Sequence, residues 1–196
     1  MHFNRCGFQI FHEISASTSV DWFVPRDGTT LSSSQTLLSS LVNFINRYFS
    51  PNVEVVEDQL IAGTGCSSLL EALAPLLCDP GEIILGPAPF WPVARLVLGK
   101  SQVVLSAVVP PTESVENILD WNDQLQNHWQ DHISGLVASG KKPRAILLSN
   151  PQNPMGRSYS KEYLVGILSL CQKVSVRRYW LFNYDRYSNL VVMSAE

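Results

Sequence analysis

A rigid loop is predicted by the stretch Ser149-Asn150-Pro151-Gln152-Asn153-Pro154-Met155-Gly156-Arg157, which follows the apolar run Ala145-Ile146-Leu147-Leu148. Two Asn-Pro pairs and a glycine are a dense turn signal. Each proline fixes its own φ and drives the preceding asparagine towards extended backbone. Ligands of doubly wound α/β sheets bind at the C-terminal ends of the strands, so we expect Asn153 to face a bound ligand there. The alternative is a rigid strand-to-helix connection that binds nothing.

A second candidate binding element is the glycine-rich turn Gly63-Thr64-Gly65-Cys66-Ser67-Ser68. It follows a short strand predicted over residues 59–62 and leads into a helix predicted over 68–77. Such a turn presents free backbone N–H groups and the positive end of the helix dipole, which together suit a phosphate. Many turns of this composition bind nothing, so the turn alone leaves both possibilities open.

An aromatic candidate follows the predicted strand Ile83-Ile84-Leu85, in the segment Gly86-Pro87-Ala88-Pro89-Phe90-Trp91-Pro92. A large aromatic held by prolines at the end of a strand is well placed to stack on a flat heteroaromatic ring. Trp91 is that candidate, and the alternative is that it only fills the core. The other patterns predict helices over 34–49, 93–98 and 161–172, strands over 102–109 and 179–184, and partly helical structure over 115–137.

Composition narrows the class of protein. The 196 residues are 45% hydrophobic with a net charge of −3, which predicts one globular domain and argues against nucleic acid or an acidic membrane surface as a partner. No apolar run approaches the roughly 20 residues of a membrane span. His128 and His132 share one helical face, but no third ligand accompanies them, so we expect surface histidines and no metal site. Four scattered cysteines predict reduced thiols in a cytoplasmic protein: Cys6, Cys66, Cys78 and Cys171.

Taken in order, these motifs resemble the class I/II aminotransferases, fold-type I enzymes that use pyridoxal 5′-phosphate (PLP). The similarity is greatest to the 1-aminocyclopropane-1-carboxylate (ACC) synthase-like members, particularly fungal ones. It runs from about Asp21 to the end of the chain. Further matching motifs are Asn46-Arg47-Tyr48-Phe49, Asp79-Pro80-Gly81 and Tyr184-Asp185-Arg186-Tyr187. The resemblance implies an α/β fold with an incomplete doubly wound, mostly parallel sheet. Residues 23–196 would be a partial large domain and residues 1–22 an atypical N-terminal segment.

The resemblance also assigns residues to the cofactor. The phosphate would be held by Thr64, Gly65 and Cys66, and the ring by Trp91, Asn153, Asp185 and Tyr187. In the family motif Asp-Glu-x-Tyr, the Asp pairs with the pyridine nitrogen and the Tyr with the ring hydroxyl. Strict spacing from Tyr187 puts Tyr184 at the Asp position, with Asp185 one residue late. Either a residue is missing and Asp185 serves, which we favour, or the nitrogen loses its partner.

The family's Schiff-base lysine and a later substrate-binding arginine lie beyond the point where this sequence ends. The five lysines all precede the Tyr184-Asp185 segment: Lys100, Lys141, Lys142, Lys161 and Lys173. We therefore expect a truncated chain with no catalytic lysine, inactive alone, from a PLP-dependent aminotransferase or lyase that acts on an amino acid, a small-molecule substrate, as a homodimer. Transamination, β-elimination and α,γ-elimination remain open. The alternatives are a non-catalytic gene fragment and an interaction module that pairs with a full-length homologue.

Overall fold

The computed structural model describes residues 35–51, 53–61, 65–112, 114, 117–173, 180–183 and 192–193. The chain divides into two units, residues 1–63 and residues 64–196. In the described part, no helix is both long and apolar enough to cross a bilayer.

The first unit contains helix α1, Gln35–Phe49, and a 3-10 helix, Glu57–Gln59. The side chain of Asn46, near the end of α1, forms two hydrogen bonds with the backbone of Val55. Its Nδ2 donates to Val55 O at 2.9 Å, and its Oδ1 accepts from Val55 N at 2.8 Å. The strand predicted over 59–62 is wrong for its described residues. The Gln59 side chain accepts a hydrogen bond from Val56 N at 3.1 Å, and this local contact favours the 3-10 turn over a ladder. Leu60 is extended but belongs to no strand.

The second unit alternates helices and strands, as the patterns predict. Its elements are α2 Cys66–Leu77, β1 Ile83–Pro87, α3 Val93–Gly99, β2 Val104–Val108, α4 Asp123–Ala138, β3 Pro143–Asn150, α5 Lys161–Lys173, β4 Trp180–Asn183 and β5 Val192–Met193. The strands form one sheet in the order β2-β1-β3-β4-β5. The first four are parallel and β5 is antiparallel to β4. The α/β fold with a largely parallel sheet is thus confirmed.

Both faces of this sheet are covered, which explains why its central strands are apolar runs. On β1, Ile83 and Leu85 join a core formed with α4 and α5, while Ile84 joins the opposite core formed with α2 and α3. The alternation follows from the pleat of the strand, which sends successive side chains to opposite faces.

A buried ion pair holds the N-terminal end of β1 against β3. Glu82 is 5% exposed and accepts a hydrogen bond from Arg144 Nη2 at 2.6 Å. Its other oxygen accepts from Asp79 N at 3.0 Å. The hydrogen bond from Arg144 lowers the pKa of Glu82, and burial opposes it only in part. This contact joins residues 62 apart in sequence and closes the end of the sheet remote from the predicted site.

The two histidines of α4 are half-buried, not surface residues as predicted. His132 Nε2 lies 3.1 Å from Ser106 Oγ on β2, so the helix is tied to the edge of the sheet. Burial, with a smaller contribution from the neighbouring His128, lowers the pKa of His132. Among the described residues, no group of three or more His, Cys, Asp or Glu side chains is placed to hold a metal.

Candidate functional site

Three segments meet at the C-terminal ends of β1 and β3: the start of α2, the loop after β1 and the Asn-Pro loop after β3. They enclose a cavity. Its lining residues are Cys66, Leu70, Pro87, Phe90, Trp91, Ala94, Leu147, Ser149, Gln152, Asn153 and Tyr159. The walls are mainly apolar and aromatic, and the polar groups come from Ser149, Gln152 and Asn153 in and beside the Asn-Pro loop. Such a site suits a flat ring with a few polar substituents.

The Asn-Pro loop is closed by hydrogen bonds within its own segment. Gln152 N donates to Arg157 O and Gly156 N donates to Gln152 O, each at 2.7 Å. The Asn150 side chain accepts from Tyr159 N at 3.1 Å and closes the base of the loop. The peptides Asn150-Pro151 and Asn153-Pro154 are both cis. Asn153, half-buried at the cavity wall, is presented by this hydrogen-bonded turn.

Helix α2 begins at Cys66, two residues before the predicted start. Its N-cap is Gly65, which has φ +104° and therefore a conformation that residues with a side chain rarely adopt. Gly65 has no side chain to cap the N–H groups of the first turn, which leaves that end of the helix suited to an anion. Cys66 lines the cavity, and burial raises the pKa of its thiol.

Trp91 both packs against the core and lines the cavity, while its stacking on a ring stays a prediction. It is half-buried, and the core that it packs against lies on the α2 and α3 face. Its neighbour Phe90 lies beside it in the wall, and the Arg95 guanidinium carbon is 5.1 Å from the centre of the Phe90 ring. The indole is therefore held by the core at the edge of an apolar space.

The structure brings together three of the predicted site residues: Cys66, Trp91 and Asn153. Gly65 is adjacent, as the N-cap of α2. Three others lie outside the described residues: Thr64, Asp185 and Tyr187. Their roles, and the choice between Tyr184 and Asp185, stay predictions.

Among the lining residues that sequence reasoning missed, three carry a hydroxyl or an amide: Ser149, Gln152 and Tyr159. Tyr159 is 6% exposed, and its ring centre is 4.5 Å from that of Tyr163 on α5. Burial raises the pKa of the Tyr159 hydroxyl, so it stays protonated at neutral pH. The position of Tyr159, an aromatic three residues after Gly156, could have pointed to it from the sequence. No sequence signal points to the contact of Gln152 with the loop after β1, because the two loops are far apart in the sequence.

The family model described as Aminotransferase class I and II matches residues 26–182. "Probable aminotransferase sirI" of Leptosphaeria maculans is 33% identical over 139 residues, which are 68% of this chain and 31% of that protein. "Probable inactive 1-aminocyclopropane-1-carboxylate synthase-like protein 2" of Homo sapiens is 27% identical over 148 residues, 71% of this chain and 25% of that protein. The chain therefore spans less than a third of the length of these curated relatives.

Among solved structures, an archaeal alanine:glyoxylate aminotransferase superposes with a TM-score of 0.63 at 20% identity, over 90% of this chain and 39% of that one. Likeness at this identity shows a shared fold. Fold and family match agree: the chain belongs to the aminotransferase class I and II family, whose fold-type I enzymes use PLP.

The groups that line the cavity correspond to the chemical groups of PLP. A helix N-terminus suits its phosphate, aromatic and aliphatic walls suit its planar ring, and the Asn153 amide suits a ring substituent. The described residues therefore fit PLP. All five lysines are described and none lines the cavity. Lys141 and Lys142 precede β3, at the opposite end of the strand.

Proposed function

We propose that this chain forms a PLP-binding half-site of an enzyme that transforms amino acids. The observation that carries the proposal is the convergence of Cys66, Trp91 and Asn153 on one cavity from segments up to 87 residues apart in sequence (153 − 66). The three residues supply different chemical features: Cys66 a helix N-terminus, Trp91 an aromatic face and Asn153 an amide. In the proposed assignment residues 23–196 are part of a large domain, and residues 1–22 are an atypical N-terminal segment.

Each residue has a definite role in this proposal. The first turn of α2, with Thr64, Gly65 and Cys66, would hold the phosphate through backbone N–H groups and the helix dipole. The Trp91 indole would lie against the ring face. Asn153, with Tyr187, would hydrogen-bond the ring hydroxyl, and Asp185 would pair with the ring nitrogen. The apolar walls exclude water from the ring and strengthen these polar contacts.

When bound, PLP supplies an electron sink for the negative charge that develops at the α-carbon of an amino acid. The residues of this chain bind and orient the ring. None of the described residues that line the cavity is a lysine, so we infer that this chain binds the cofactor weakly and without a covalent anchor, and is catalytically incomplete alone. The substrate would be an amino acid, the assembled enzyme would be a homodimer, and its location would be cytoplasmic. Transamination and elimination are both compatible with the half-site.

A second candidate function is a non-catalytic protein that pairs with a full-length homologue. It is favoured by the position of the lysines, all away from the cavity. One relative, the human protein, carries the word "inactive" in its own name. Co-purification of the tagged chain with a full-length homologue, without PLP binding, would support this candidate over the first.

The experiment that tests the half-site uses 4′-deoxypyridoxine 5′-phosphate, which lacks the aldehyde and binds without forming a covalent bond. Calorimetric titration of the 196-residue chain should show saturable binding. Asn153→Ala should weaken it about fivefold to tenfold, as expected for one lost hydrogen bond. Asn127→Ala, at an exposed position of α4, is the matched control and should bind as the unaltered chain does.

Incubation with PLP itself, followed by borohydride reduction and peptide mapping, tests the absence of an anchor. Scattered, substoichiometric labelling of exposed lysines such as Lys141 and Lys142 is the expected result. Stoichiometric labelling of one lysine, lost in Asn153→Ala, would show that an upstream lysine serves as the anchor. The proposal of a catalytically incomplete chain would then be wrong.

A further inference from the structure

Gln152 lies between the two prolines of the Asn-Pro loop and is 3% exposed. With Glu82, it is one of two polar or charged residues that are buried in the described part of the chain. A buried amide is costly unless it is hydrogen-bonded, so its partners explain why it is there. Its side-chain oxygen accepts from Met155 N at 2.8 Å, and its side-chain nitrogen donates to the carbonyl oxygen of Pro89.

These two hydrogen bonds differ in what they connect. The bond from Met155 N lies inside the Asn-Pro loop and needs no other part of the protein. The bond to Pro89 joins this loop to the loop after β1, across 63 residues of sequence. On its other side, the loop after β1 is held by Ala88 N, which donates to Val108 O at 2.9 Å. Gln152 is thus a bridge between the two loops that form the cavity rim.

The bridge lies between two of the four residues assigned to the cofactor ring. Pro89 is two residues before Trp91, and Gln152 immediately precedes Asn153. Gln152, Trp91 and Asn153 all line the cavity. A rigid link between these loops therefore restricts how far the indole can move from the Asn153 amide.

We propose that Gln152 is a positioning residue that sets the separation between Trp91 and Asn153, and through it the affinity of the site for a flat phosphorylated pyridine. This inference rests on the proposed function for its ligand. It adds that the fit of the ring is controlled by a buried amide within the Asn-Pro loop. The bridge itself is a property of the protein without ligand.

Gln152→Glu separates the two hydrogen bonds. The carboxylate still accepts from Met155 N, but it cannot donate to Pro89 O and repels it. When the new carboxyl is protonated at lower pH, it can donate again, so the bridge is restored. Gln152→Met is similar in size and removes both bonds at every pH. The matched control is Gln124→Glu, the same charge change at an exposed position of α4.

The first readout needs no ligand. Incorporated 5-fluorotryptophan gives a ¹⁹F resonance for Trp91, assigned by its loss in Trp91→Phe. We expect this resonance to shift in Gln152→Glu at pH 7.5 and to return towards the original position near pH 5. In Gln152→Met it should be shifted at both pH values. In the unaltered chain and in Gln124→Glu it should stay in place.

The second readout is the Kd of 4′-deoxypyridoxine 5′-phosphate, expressed as the ratio of variant to unaltered chain at each pH. Gln152→Glu should bind about tenfold more weakly at pH 7.5, and this ratio should fall towards one near pH 5. Gln152→Met should stay about tenfold weaker at both pH values.

The outcomes distinguish the inference from the proposed function. A Trp91 resonance that is the same in both Gln152 variants as in the unaltered chain overturns the inference, whatever binds. Weakened binding in Gln152→Glu that does not recover at pH 5 also overturns it, since a merely structural defect would not be rescued by protonation. If the unaltered chain fails to bind the analogue, the proposed function fails, and the resonance still decides whether the bridge positions Trp91. Should Gln152→Glu not fold, Gln152→Met supplies both readouts.

Discussion

The two faces of the sheet are packed in different ways. The face covered by α4 and α5 holds large, fully buried side chains, among them Trp129 and Tyr163, both 0% exposed. The face covered by α2 and α3 includes small residues, Ala74, Ala94 and Ala145, and its core continues into the cavity wall at Trp91. Close packing of large side chains stabilises the first face, whereas small residues leave room for a ring beside the second. The comparison predicts that substitutions on the first face cost more stability, and that the proposed cofactor site depends mainly on the second face, with Tyr159 contributed by the first.

The two faces should differ most in how much stability the protein loses when a tryptophan is removed from each. Trp129→Ala should lower the free energy of unfolding by about 3–5 kcal/mol, because it leaves a large hole in a closed core. Trp91→Ala should cost only about 1–2 kcal/mol, since the indole is half-buried, but should reduce analogue binding. Urea denaturation followed by circular dichroism measures the first quantity and calorimetric titration the second. Equal losses of stability would contradict the assignment of the faces.

The next prediction concerns two helical glycines. A Cβ at Gly166 on α5 would overlap the indole of Trp121, whereas a Cβ at Gly135 on α4 would meet no atom within 4 Å. Gly166→Ala should therefore destabilise the chain by about 1–3 kcal/mol through overpacking. Gly135→Ala should stabilise it by up to about 1 kcal/mol, the ordinary helix preference for alanine. Thermal melts of both variants check the sign. Stabilisation by both would show that the α5 face is looser than described.

A substitution at Glu82 tests whether the ion pair at the N-terminal end of β1 affects stability without affecting binding in the cavity. Glu82→Gln should cost about 1–2 kcal/mol at pH 7, a modest value because the Arg144 side chain is 37% exposed and solvent weakens the pair. The pKa of Glu82 is lowered in the folded chain, so its stabilising effect is complete above the ordinary carboxyl pKa of about 4.5. It is lost as the pH falls through the lowered folded-state pKa.

Urea titrations of the unaltered chain and of Glu82→Gln between pH 3 and 7 measure this difference. The two stabilities should converge at the acidic end, while analogue affinity at pH 7 should be unchanged by the substitution. A difference in stability that grows as the pH falls would contradict the direction of the pKa shift.

The last prediction concerns the rates at which two thiols are alkylated, a comparison that involves no change in stability. Cys171, a residue of α5 that packs in the core, is 2% exposed, and burial raises its pKa to about 12. Cys66 is half-buried at the cavity. Iodoacetamide at pH 8 should modify Cys66 at least about tenfold faster than Cys171, by peptide mass spectrometry, because the thiolate must form and be reachable. Saturating analogue should slow only the Cys66 reaction. Equal rates for the two thiols would contradict the predicted difference in their accessibility.

Much of the fold was predictable because its signals are local. Apolar runs at β1 and β3, and the helical spacing of α1 and α5, were interpreted correctly since each depends on residues close together in sequence. The strand predicted over 59–62 failed because the Gln59 side chain bonds to the backbone nearby, and a short apolar pattern does not reveal this. The start of α2 was misplaced by two residues because only the φ of Gly65 identifies it as the N-cap.

The parallel α/β arrangement and the placement of Trp91, Cys66 and Asn153 at strand and helix ends follow from local sequence, because prolines, glycines and apolar runs specify such features over a few residues. The class of protein followed from the resemblance of the ordered motifs to a known family. Only the folded chain reveals that Gln152 bonds to Pro89 and that Glu82 pairs with Arg144. These two contacts join segments 63 and 62 residues apart, and a hydrogen bond over such a separation leaves no periodic trace in the sequence.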